Sequence, residues 1–146
     1  MKTSWLTESE IKRKWYIVDI QGKILGRVAT VIAKLLTGKG KVDRVPNMDS
    51  GDYVVVINSA KIKLTGNKKA DKKYYRHSGY PGGLVVETVE RLLQKNPNKV
   101  ITKAVKNMLP NNKHRDNRMS RLKVFPGAEH SHEAQKPEKV DLNSYI

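Results

Sequence analysis

The sequence predicts an α/β fold, and three stretches carry that prediction. Trp15 to Ile20 (WYIVDI) and Tyr53 to Ile57 (YVVVI) are β-branched, aromatic and almost unbroken in their apolarity. That is the pattern of strands covered on both faces, as in a parallel sheet. Between them Leu25, Val28, Ala29, Ile32, Leu35 and Leu36 recur at three- and four-residue steps. This spacing gives an amphipathic helix from Ile24 to Thr37, ended by Gly38. Strand, helix, strand in that order argues for a right-handed βαβ unit.

The remaining elements follow in order. Thr7-Glu8-Ser9-Glu10 has capping-box spacing and predicts a short helix to about Lys14. Gln21-Gly22-Lys23 turns the chain after the first strand, and Asn47 to Asp52 (NMDSGD) is turn chemistry before the second. Lys61 to Leu64 alternates polar and apolar residues and predicts a shorter, half-exposed strand. A basic hairpin-like segment follows. Leu84 to Lys95 predicts a helix from about Val86, stopped at Asn96-Pro97. Pro97 suits the first turn of another helix, in which Val100, Ile101, Ala104, Val105, Met108 and Leu109 form the apolar stripe before Pro110. Asn111 to Arg121 has almost no apolar content, so an irregular basic loop is expected there. Leu122 to Phe125 (LKVF) reads as a last short strand, and 127–146 as an irregular, less basic tail. With 146 residues, no internal repeat and no long linker, residues 1–146 are expected to form one domain.

Charge narrows the function. Lys and Arg number 29 against 14 acids, a net +15, and such an excess calls for a polyanionic partner. A nucleic acid fits better than a membrane, because no long basic amphipathic helix, lipidation motif or extended apolar run is present. The opening MKTSWLTESE has neither the apolar core of a secretory signal nor the look of a transit peptide. Without a single cysteine, disulfides and thiolate metal sites are excluded, and a reducing interior compartment is expected.

Catalytic and metal chemistry find little support. Gln21 to Arg27 sits where a phosphate-binding loop would, but matches neither the P-loop nor the dinucleotide fingerprint. It reads as a tight turn whose helix start, beside Lys23 and Arg27, could still accept an RNA phosphate. Asp49 and Asp52 could hold magnesium or do acid–base work as paired carboxylates, and an enzyme acting on nucleotides or RNA would need them; with no histidine or third acid at motif spacing, a capped turn is the better reading. His130-Ser131-His132 beside Glu129 and Glu133 is too sparse for a metal site. No nucleophile motif such as G-x-S-x-G occurs. The expectation is no catalytic residue, no metal and no cofactor.

The cations, by contrast, recur. Lys39, Lys41 and Arg44 form one cluster, and Lys113, Arg115, Arg118, Arg121 and Lys123 another. The densest lies between Lys61 and Gly83, where Lys68, Lys69, Lys72, Lys73 and Arg76 alternate with Tyr74, Tyr75 and His77 against one acid, Asp71. Cations beside flat rings suit phosphates and exposed bases. One of the two adjacent tyrosines is expected to be buried, since neighbours on a strand face opposite ways. Zinc-finger, homeodomain, basic-zipper and RRM signatures are missing, which favours recognition of RNA shape and backbone. A free RNA-binding translational regulator is the alternative reading.

WYIVD (15–19), GKILGRVAT (22–30), NMDSGDYVVVINS (47–59), KLTGNKKADKKYYRHSGYPGG (63–83), AVKNMLP (104–110) and LKVFPGAEHSHEAQKP (122–137) together resemble the large-subunit ribosomal protein thirteen family, of the bacterial or organellar type. The resemblance is collinear from about Trp15 to Leu142. It implies a three-layer α/β/α domain with a four-stranded, mainly parallel sheet of order 3-2-1-4, plus the basic hairpin-like extension. It also implies a non-catalytic constituent of the large ribosomal subunit that binds large-subunit ribosomal RNA and supports early assembly and translation. The partners would be that RNA and neighbouring large-subunit proteins, with no membrane and no homo-oligomer, in the cytoplasm or an organelle. The family resemblance makes 111–121 an RNA-ordered loop. One departure stands out there: this chain has NNKHRDNR where many relatives carry glycines. Under this reading the 68–76 cations and the arginines at 115, 118 and 121 neutralise phosphates. The 74–77 rings stack or hydrogen-bond beside them, and Gly79, Gly82 and Gly83 let backbone approach RNA.

Overall fold

The structure, a computed structural model, describes residues 7–142. Residues 1–6 of the expected chain start and 143–146 of the expected tail lie outside the described residues. Along the chain the elements are β1 (Trp15–Asp19), α1 (Leu25–Thr37), β2 (Tyr53–Ile57), α2 (Lys68–Asp71), β3 (Lys73–His77), β4 (Leu84–Thr88), α3 (Val89–Lys95), α4 (Pro97–Met108), α5 (Arg115–Ser120), β5 (Leu122–Val124) and β6 (Glu138–Lys139). Single 3-10 turns occur at Glu8–Glu10 and Ser59–Lys61.

The α/β architecture is the expected one. A four-stranded sheet runs β5-β2-β1-β6 with every pair parallel, which in chain order is third, second, first, fourth. β3 and β4 form a separate antiparallel hairpin. Val18, Val54, Val56 and Leu122 meet Val28, Ile32 and Leu36 of α1 and Val100, Ile101 and Val105 of α4 in one buried cluster. The two-residue period of a strand turns Trp15, Ile17, Tyr53 and Val55 to the other face. There Trp15 stacks on Tyr53 with ring centroids 4.3 Å apart. His132 sits 5.2 Å from Trp15 and 5.8 Å from Phe125, so the chain leaving β5 closes over that face. Both faces of β1 and β2 are thus covered, as their unbroken apolarity requires.

Five stretches differ from the sequence reading, each for a physical reason. The helix expected to Lys14 is one 3-10 turn. The Thr7 amide does donate to the Glu10 carboxylate at 2.9 Å, but Arg13 and Lys14 are drawn out straight by bonds to the Asp49 carbonyl (3.1 Å) and the Asp52 carboxylate (2.9 Å). Lys61 to Leu64 holds the end of a 3-10 turn and one parallel bridge, Ile24 to Lys63. Leu84 to Thr88 is a strand, and the helix starts at Val89 rather than near Val86. β-branched Val85 and Val86 favour the strand, and the Thr88 hydroxyl caps α3 by accepting from the Arg91 amide at 3.4 Å.

The expected loop at 111–121 contains the helix α5, whose one apolar residue, Met119, packs on the core and whose remaining hold comes from ion pairs described below. The tail supplies β6, in which Glu138 and Lys139 register with Tyr16 and Ile17. Two charged residues at a sheet edge give no periodic signal. Among the described residues, no helix is long and apolar enough to cross a membrane.

Candidate nucleic-acid interface

The hairpin carries five of the expected binding residues, Lys73 to His77. β3 and β4 pair from Lys73 with Thr88 to His77 with Leu84, and the tip between them is Ser78 to Gly83. Backbone bonds from Ser78 to the Gly83 carbonyl (3.1 Å) and from Gly83 to the Tyr80 carbonyl (2.9 Å) close the tip. A Cβ on Gly83 would lie 2.0 Å from the Ser78 hydroxyl and 2.9 Å from the Tyr80 carbonyl, so turn closure accounts for this glycine. Gly79 and Gly82 have φ of +89° and +72°, values that the tight tip requires. His77 Nδ1 accepts from the Gly79 amide at 2.9 Å, tying the ring to the tip.

The two tyrosines divide as expected. Tyr75 is 65% exposed, whereas Tyr74 is half-buried against the core. The Lys103 ammonium lies 4.5 Å from the Tyr74 ring centroid and that of Lys72 5.5 Å. Burial pushes the Tyr74 hydroxyl pKa up, and its oxygen has no hydrogen-bond partner. Tyr74 therefore anchors the hairpin to α4, and Tyr75 is the ring offered to solvent. Lys68, Lys69, Lys72, Lys73, Arg76 and His77 are all exposed around it.

In the first cluster Lys39 is exposed and Arg44 half-buried, but Lys41 is occupied. Its ammonium donates to Asp52 at 2.6 Å and to the Lys12 and Ser50 carbonyls, both at 2.9 Å. Lys41 pins its loop to the 47–52 turn. In the third cluster Lys113 is exposed, and Arg115 and Lys123 are half-buried.

Arg118 and Arg121 are 3% and 6% exposed and both bind Asp49. Arg118 Nε lies 3.1 Å and an Arg121 terminal nitrogen 2.7 Å from its carboxylate. Burial raises the Asp49 carboxyl pKa, but the hydrogen bonds and charges of Arg121 and Arg118 outweigh it and hold the group below the usual carboxylate range. The expectation that these two arginines face phosphates is corrected here: their charge is closed inside the protein against Asp49. Gly51 makes the approach close, since a Cβ there would fall 1.8 Å from the Leu36 carbonyl oxygen and 3.2 Å from Arg121.

The acids considered for metal chemistry are occupied in the same way. Asp49 holds two arginines, and Asp52 holds Lys41 and the Lys14 amide. His130 and His132 pack on Phe125, and the His132 amide donates to His130 Nδ1 at 3.2 Å. Among the described residues, no group of three His, Cys, Asp or Glu side chains is placed to hold a metal ion. At the start of α1, the Leu25 amide is taken by the Lys63 carbonyl at 3.0 Å, which removes one of the donors a phosphate would use.

The structure also brings beside Arg76 three cations that the sequence reading passed over, Lys95, Lys99 and Lys103. A groove of about 500 Å³ runs between the hairpin and the α3–α4 junction, lined by Arg76, Lys95, Lys99 and Lys103 with Tyr74 and Tyr75. The four-residue spacing of Lys95, Lys99 and Lys103 is visible in the sequence. It passes for the solvated side of two amphipathic helices, because Asn96-Pro97 interrupts it.

The family described as Ribosomal protein L13 matches residues 13–131. A protein named large ribosomal subunit protein uL13 from Thermotoga maritima is 51% identical over 141 residues, covering 97% of this chain and 95% of the relative. Its namesake from Geobacter sulfurreducens is 50% identical over 143 residues, covering 97% and 100%. That from Acholeplasma laidlawii is 51% identical over 142 residues, with the same coverage.

Proposed function

We propose, for a chain that belongs to the ribosomal protein L13 family, a non-catalytic role as a structural constituent of the large ribosomal subunit. In this reading the whole chain acts as one domain. It binds large-subunit ribosomal RNA, meets neighbouring subunit proteins, supports early assembly, and works on cytoplasmic ribosomes.

The observation that carries the reading is the run from α2 into the hairpin. Lys68 and Lys69 on α2, Lys72 at its C-terminal cap, and Lys73 and Arg76 on β3 are all exposed, and Asp71 is the one acid within that run. Such a concentration repels itself unless a polyanion neutralises it. Lys39, Lys113, Arg115 and Lys123 extend the contact, while Lys41, Arg118 and Arg121 act indirectly by holding the loops that carry them. Tyr75 and His77 supply rings for unstacked bases.

Sedimentation of a cell extract through a sucrose gradient, probed for this protein, tests the reading. Co-sedimentation with large subunits is expected. A protein found mostly in the ribosome-free fractions would instead support a free translational regulator.

A further inference from the structure

The groove between the hairpin and the α3–α4 junction sets four cations, Arg76, Lys95, Lys99 and Lys103, around one carboxylate, Glu87. Glu87 offsets little of that charge: the Lys95 ammonium is 4.0 Å away and largely exposed. Lys103 is held over the Tyr74 ring, and on the exposed hairpin Tyr75 lies open at the groove's edge. The groove's lining comes from β3, β4, α3 and α4, so it is a surface built by tertiary packing rather than a run of sequence.

We infer that this groove seats the phosphodiester backbone of an unpaired RNA segment, with Lys95, Lys99 and Lys103 binding phosphates and Tyr75 as the stacking platform for a flanking base. The inference rests on the proposed ribosomal-RNA binding and deepens it. A cationic channel with a flat ring at its lip is the arrangement that holds single strands, because every base offers a face to stack and every nucleotide a charge to neutralise. An acidic protein segment would use the cations and leave Tyr75 without a role.

Filter binding of the full-length protein to purified large-subunit ribosomal RNA, measured across salt concentrations, tests the groove. Lys95 and Lys99 are exposed, so the double variant K95A/K99A should melt like the unaltered protein. It should flatten the log–log salt slope by about 1.5, at ~0.7 to 0.9 for each phosphate no longer neutralised. Tyr75→Ala should weaken binding at least about fivefold, and Tyr75→Trp should preserve it. A companion variant, K68A/K69A, separates the groove from the basic run that begins on α2. A slope changed by K68A/K69A and not by K95A/K99A overturns the groove and leaves the proposed function intact. A slope changed by neither overturns both. Full RNA affinity in K95A/K99A with weaker retention on reconstituted large-subunit particles also overturns the groove, assigning it to an acidic protein neighbour.

Discussion

At the residue scale, the cation count alone misleads, because the same side chain serves inside or outside according to its partner. Arg118 and Arg121 are buried against Asp49, and replacing Asp49 strands two guanidiniums in the interior. Breaking a buried pair in this way costs about 3–5 kcal/mol, so Asp49→Ala should lower the urea midpoint by that equivalent. The pH dependence follows from the same ion pairs. The Asp49 carboxyl is held lower in the folded chain than in the unfolded one, where it titrates near about 3.9. Its contribution is therefore complete above that value and is lost as pH falls through the lower folded value. Thermal melts of the unaltered protein should fall on acidification in this range, and those of Asp49→Ala should fall less steeply. Nothing in the sequence distinguishes Arg118 from Arg115, three residues earlier. Only the fold brings Asp49, on the turn before β2, to α5. The NMDSGD stretch was legible as a turn, but the two arginines that Asp49 holds lie 69 and 72 residues away.

At the element scale, legibility tracks periodicity. α1 and α4 are long enough for their apolar stripes to show, and β1 and β2 announce burial on both faces by unbroken apolarity. β6 and α5 are short, charged and held by tertiary interactions, so composition hides them. The boundary at Leu84–Thr88 is misread for a related reason: Val85, Val86, Val89 and Leu92 satisfy a helical spacing, and only pairing with β3 decides for the strand. The hairpin also assigns different work to adjacent tyrosines. Because the Tyr74 hydroxyl is buried without a partner, Tyr74→Phe should leave stability unchanged or raise it by up to about 1 kcal/mol. RNA affinity should be retained as well. A marked loss of affinity in Tyr74→Phe would return that hydroxyl to the RNA-binding surface.

At the scale of the whole molecule, a parallel sheet is covered on both faces, and exposed cations sit on α2, on a separate hairpin and on loops. The fold class, the strand order and the basic hairpin were legible, the order through family resemblance and the hairpin through charge density. The groove beside the hairpin was not, since it joins β3 and β4 to residues some twenty positions further on. In the proposed function, exposed side chains neutralise ribosomal-RNA phosphates while buried arginines stabilise the fold. The salt dependence of specific binding to large-subunit ribosomal RNA tests this most directly. Neutralising on the order of eight phosphates predicts a log–log slope of about −6 to −7. A flat salt dependence would contradict it.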